Sequence, residues 1–170
     1  MEDETSIALR DIGTALIGIQ MVEHLLDLVI HTVFRGESMF SARELERLGK
    51  LERHETLGNL IKQLRTKVDV HPELDLYLDR FLEDRNHFVH GLIEIPNFNV
   101  SEGEGRQNCL RVCQEMATAS VRLTNLFWAL IYQFHDRQFQ KMSLDDDVRK
   151  LFEDANAWAG RVDQFFRIRE

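Results

Sequence analysis

Proline is almost missing from this chain of 170 residues: there are two, Pro72 and Pro96. Proline removes a backbone donor and breaks helices, so its scarcity leaves long stretches in which a helix can run unbroken. Cysteine is just as scarce, with Cys109 and Cys113 four apart. On a helix that spacing shares a face, and the pair reads as small, reduced core residues rather than as a disulfide or metal site. No uninterrupted apolar run reaches the roughly 18 residues that suggest a membrane span. The best stretch, Ile12 to Phe34, carries Glu23, His24, Asp27 and His31. The start, Met1-Glu2-Asp3-Glu4, is acidic where a secretory leader is basic. These absences predict a soluble, cytoplasmic protein with no membrane partner. A basic surplus is lacking too, the formal net charge being −8. That argues against a general nucleic-acid coat, which depends on clustered Lys and Arg, but leaves room for a local basic site in an acidic protein.

What is present is helical. With 44% hydrophobic and 29% charged residues, 170 residues suffice for one core and predict a single domain. From Thr5 to about Phe34 apolar residues recur at steps of three and four, the period of one long amphipathic helix. Gly13 and Gly18 within it leave room for a close neighbour, and Gly36 suits its stop. Ser41 to Leu51 is either a short helix or an irregular connection. Thr56 reads as the cap of a helix over Leu57 to Val68, with Leu57, Leu60, Ile61, Leu64 and Val68 as its buried stripe. His71-Pro72-Glu73 opens the next helix, Pro72 taking a first-turn position that wastes no hydrogen bond.

That helix is expected to end near Gly91. From there to Gly105 the chain has Pro96 and no helical period, so it reads as a loop in which Ile93, Ile95 and Phe98 suit a short extended stretch. A second long helix is predicted from Arg106 to Phe139. A last one is predicted from Leu144 to Arg169, capped by Ser143 and started by acids that complement the helix dipole. The whole reads as an all-α, single-domain bundle of four to six helices.

Ionisable and amide groups concentrate in Asp84-Arg85-Asn86-His87-Phe88-Val89-His90, late in the third of these helices. At about 100° per residue, Asn86 and His90 share a face with Arg85 at its edge. Arg-Asn followed by this histidine, late in a helix of a small all-α protein, resembles the signature of the HEPN superfamily: an Arg, a polar residue that is commonly Asn, a short spacer and a His. The order of elements resembles that family as well, over residues 5–140, with residues 144–169 as an additional C-terminal helix.

The resemblance implies a helical bundle that dimerises so that two motifs face one another, and metal-independent endonucleolytic cleavage of single-stranded or loop RNA. It implies no cofactor and no metal. Arg85, Asn86 and His90 are then the catalytic residues. Attack of a ribose 2′-OH on the adjacent phosphate needs a group that moves protons near neutral pH, which is histidine's chemistry, so His90 is the acid/base. Negative charge grows on the phosphate, and an arginine fork stabilises it, so Arg85 takes that part. Asn86, one turn before His90, orients the histidine or the phosphate. Asp84 and His87 stand beside the motif as auxiliary candidates that the signature does not require. A toxin, defence or stress effector with an antitoxin or regulatory protein as partner is the expected setting. Some toxins of the family carry a Tyr two places after the histidine that a partner nucleotidyltransferase modifies. Leu92 stands there in this chain, which argues against such a partner.

Three other readings compete. A non-catalytic HEPN dimer that binds nucleotides or a protein fits the acidity and would tolerate loss of His90. A carboxylate metal site would combine Asp84-x-x-His87 with Glu23, His24, Asp27 and His31, but such bundle sites use paired Glu-x-x-His elements and only one Asp-x-x-His occurs. Finally, Arg85 and His90 could simply satisfy carbonyls at the helix end.

Overall fold

A computed structural model describes residues 4–33, 55–94, 98–139, 162 and 164–168. Among them the chain is all-α apart from two short strands. Four α-helices are α1 (Glu4–Thr32), α2 (Leu57–Lys67), α3 (Pro72–Gly91) and α4 (Gly103–Phe139). A 3-10 turn, Leu92–Glu94, follows α3, and the strands are β1 (Val68–Val70) and β2 (Phe166–Ile168). The expected segment over Ser41 to Leu51, the stop at Gly36 and the cap at Ser143 lie outside the described residues. Most of the helix expected over Leu144 to Arg169 lies outside them as well.

The chain forms two compact units, each assembled from separated segments. The first comprises Met1–Val22 and Leu76–Leu123, so it holds the N-terminal part of α1, most of α3 and the first part of α4. Its core sets small residues of α1 against larger ones of its neighbours: Ala8, Ala15 and Ile19 from α1, Phe81 and Phe88 from α3, and Cys113 and Met116 from α4 are all buried. Gly18 leaves little room for a side chain. A Cβ at that position would lie 3.0 Å from Ser120 Cβ and 3.2 Å from its Oγ. Gly18→Ala should therefore destabilise the protein, although alanine is favoured over glycine in a helix by up to about 1 kcal/mol. Adding Ser120→Gly should restore the melting temperature, which a thermal melt of both variants would check. Gly13 has no such role, because nothing lies within 4 Å of a Cβ built there. An ion pair from Arg106 Nη1 to Glu4, 2.6 Å long, joins α4 to the first turn of α1.

The second unit comprises Glu23–Asp75 and Thr124–Glu170. Here Leu25, Leu26, Leu28, Val29 and Ile30 of α1 are all buried. A helix apolar on nearly every side has to be surrounded, and this stretch is. The same composition makes Glu4–His31 long and apolar enough to cross a membrane, with an 18-residue window of mean hydropathy 1.4 of which 39% is buried. The charged interruptions did not prevent this, and two of them pair, His31 Nε2 lying 3.2 Å from Asp27 Oδ1.

Thr56 caps α2, its hydroxyl accepting from Asn59 N at 3.4 Å, and Leu57, Leu60, Ile61 and Leu64 form the expected buried stripe. Val68 is also buried but does not continue the helix: with φ −136° and ψ 154° it is extended. Two causes act together. The residue before a proline is pushed out of the helical region, so His71 cannot carry one helix into the next. Val68 and Val70 are β-branched and favour extension. β1 pairs antiparallel with β2 in the register Val68 with Ile168, Asp69 with Arg167 and Val70 with Phe166. The predicted last helix is thus corrected at its end, where Phe166–Ile168 is strand. Opposite charges at Asp69 and Arg167 face one another across the pair, a favourable cross-strand arrangement. His71 then starts α3, its Nδ1 accepting from Glu73 N at 3.3 Å, and its ring meets Phe165 edge-on. Arg65 Nε to Asp75 Oδ1, 2.7 Å, ties α2 to α3.

Two further boundaries differ from the sequence reading. Ile93, expected in an extended stretch, sits in the 3-10 turn, and α4 begins three residues before Arg106. It starts on Gly103 at φ +69°, a backbone conformation that L side chains rarely adopt.

Candidate functional site

All five site candidates lie on the last two turns of α3, within the first unit. Leu74, Leu78, Phe81 and Phe88 anchor the helix by one buried stripe, and the remaining faces follow from the 3.6-residue period.

Asn86 and His90 stand on the exposed side, about 40° apart around the axis and about 6 Å along it. Arg85 is half-buried and lies nearer the anchored stripe, yet its Nη1 donates to Asn86 Oδ1 at 3.1 Å. The structure therefore brings Arg85 and Asn86 together directly and sets His90 one turn onward on the same side as Asn86. Apolar side chains flank this face: Val89 is 38% exposed and Ile93 80%. His90 is in the last turn of α3.

Asp84 and His87 point elsewhere. They line a cleft of about 380 Å³ between α3 and α4, together with Phe88 and Gly91 of α3, Glu94 of the 3-10 turn, and Arg111, Val112, Glu115 and Met116 of α4. Asp84 is about 120° around the helix from His90, whereas His87 lies about 60° from it and so borders both faces. Across the cleft Arg111 Nη1 pairs with Glu115 Oε1 at 2.8 Å, one turn along α4.

Partial burial, reinforced by Glu83 and Glu115, raises the Asp84 carboxyl above its ordinary value of 3.8. The folded state thus holds this proton more tightly than the unfolded chain. Its contribution to stability is complete below the ordinary carboxylate pKa and is lost as pH rises through the raised one. Asp84→Asn should accordingly raise the melting temperature at pH 7 and leave it unchanged near pH 3, giving a flatter pH profile than the parent protein.

Cys109 and Cys113 are free and buried. Burial pushes the Cys113 thiol up to about 12, helped by the neighbouring Cys109. They are packing residues, as their spacing suggested, because a thiol held protonated is a poor nucleophile. Among the described residues no three His, Cys, Asp or Glu side chains are grouped to hold one ion. Sequence reading missed Glu94, Arg111 and Glu115. The i,i+4 pair Arg111–Glu115 was a usable signal only for a helix-surface ion pair; its position opposite Asp84 depends on how α4 packs. No family model matches the chain, and no curated protein or solved structure is significantly similar to it.

Proposed function

We propose that the protein is a HEPN-type, metal-independent endoribonuclease that acts in the cytoplasm as a symmetric dimer, with His90 as acid/base and Arg85 stabilising the phosphate. The observation that carries this reading is the Arg85–Asn86 hydrogen bond of 3.1 Å, which ties the guanidinium to an amide one turn before the exposed His90 and on the same side of α3 as it. Asn86 accepts from the guanidinium by its amide oxygen, which helps to set the direction of the fork. His90 is open to substrate and solvent, as a proton carrier must be.

One such face supplies one arginine and one histidine, whereas 2′-OH attack needs a base for the nucleophile and an acid for the leaving oxygen. A second copy apposed on α3 would supply the other pair and would cover Val89 and Ile93, whose exposure favours such a contact. The reaction forms a bond between the 2′ oxygen and phosphorus and breaks that between phosphorus and the 5′ oxygen. One histidine takes the 2′ proton and the other gives a proton to the departing 5′ oxygen, leaving a 2′,3′-cyclic phosphate.

Purified protein incubated with single-stranded and hairpin RNA in EDTA tests this. Cyclic-phosphate ends on the products, from a species sedimenting at about twice the 20.0 kDa chain mass, are expected. A strict monomer that leaves RNA intact would overturn the reading and favour a non-cleaving binding module, with an antitoxin or regulatory protein as the partner to seek.

A further inference from the structure

We propose that the substrate is a short oligoribonucleotide held through its scissile phosphate alone, and that Glu83 disfavours longer chains by repelling the neighbouring phosphate. The inference rests on the ribonuclease reading and names the substrate class of that site.

The charge of the first unit carries it. Met1–Val22 and Leu76–Leu123 contain six arginines and no lysine against eleven aspartates and glutamates. Three of those arginines are ion-paired within the unit, Arg10 with Asp11, Arg106 with Glu4 and Arg111 with Glu115. A protein that grips a long strand does so through clustered Lys and Arg, each neutralising a phosphate. The unit that bears the motif has the opposite balance.

The same balance holds along α3. Glu83 is exposed and lies about 20° from His90 around the helix and about 10 Å before it along the axis. A strand running from His90 towards the start of α3 therefore brings its next phosphates to a carboxylate. Arg85, at the edge of this face, is the cation placed for the scissile phosphate. Arg80 stands about 80° round from His90 and nearer Asp84, whose charge it partly offsets. His87 and His90 add positive charge only when protonated. In the other direction the chain continues into Ile93, exposed and uncharged, and then Glu94. A second copy brings another Arg85 and another Glu83 together, so pairing leaves the balance unchanged. Repulsion between exposed charges is modest in water and is screened by salt, which gives the proposal its signature.

Cleavage in EDTA of an unstructured RNA of about 20 nucleotides, and of the dinucleotide matching its fastest-cut linkage, tests it at two salt concentrations. On the unmodified protein kcat/KM per linkage should be about threefold lower for the long RNA at about 50 mM salt, and equal for the two at about 200 mM. Glu83→Gln should abolish the difference at low salt and leave the dinucleotide's rate unchanged. Glu83→Lys should reverse it. Glu73→Gln removes the same charge about 25 Å back along α3 and should leave the difference intact.

A long RNA cut as fast as the dinucleotide or faster at low salt would overturn the proposal while keeping the ribonuclease. So would a loss of about twentyfold on the long RNA between those concentrations, as three phosphate contacts on a single strand would give. A difference that persists in Glu83→Gln would also overturn it. If neither substrate is cut, the ribonuclease reading itself falls and this proposal with it.

Discussion

His90→Ala and Arg85→Ala should each reduce RNA cleavage by about 10²–10⁴, the usual effect of removing a general acid–base group or a transition-state donor. Both should retain the parent's circular dichroism and sedimentation, for different reasons. His90 is exposed and belongs to no described hydrogen bond or ion pair that holds the fold. Arg85 is half-buried, so part of its alkyl stem packs and a small fall in melting temperature is expected with the alanine. Arg85→Lys separates charge from geometry: it keeps the cation and most of the stem but loses the fork that donates to Asn86. It should stay impaired if directed donation matters. Asn86→Ala should be milder, since it removes one hydrogen bond to the guanidinium and leaves its charge in place. Gel assays in EDTA with each variant read these outcomes, and cleavage that is unchanged without His90 would sink the mechanism.

Phe127→Ala should be the most damaging truncation among the described core residues, costing about 3–5 kcal/mol. Among the described residues Phe127 is the largest fully buried side chain, and Ala129, Leu130 and Ile131 near it in α4 are inaccessible too. Truncation there removes the transfer free energy of a ring and leaves a cavity that close-packed neighbours on a helix cannot collapse to fill. For a chain of this size that corresponds to a fall of roughly 6–20 °C in melting temperature. Ile17→Ala offers the contrast: Ile17 is 63% exposed, so the same kind of truncation should move the melt little. A differential scanning measurement on the two variants checks both. Equal small effects would mean that the second unit is not packed as described.

The helices were legible because their causes are local. Spacing of apolar residues at three and four is enough to locate α1, α2 and α4 within a few residues, and a hydroxyl three residues before an amide donor is enough to cap α2 at Thr56. Pro72 announces the start of α3 because its ring suits a first turn. The strand pair was not legible in the same way. Val68-Asp69-Val70 and Phe166-Arg167-Ile168 each alternate apolar with polar, but three residues also fit a helix end. Only a partner nearly a hundred positions away makes extension the better choice.

The site divides along the same line. The sequence by itself determined which residue types stand one turn apart near the end of α3, and therefore that Asn86 and His90 share a side while Asp84 does not. Helical period alone dictates this. Tertiary structure decided which side faces what: burial of Phe81 and Phe88 turns Asn86 and His90 to solvent and leaves Asp84 and His87 facing α4. It also decided that Glu94 and Arg111 meet at one cleft, and that Gly18 rather than Gly13 marks the close approach of α1 to Ser120. Contacts between residues a hundred positions apart depend on the fit of whole faces. No local spacing encodes that fit.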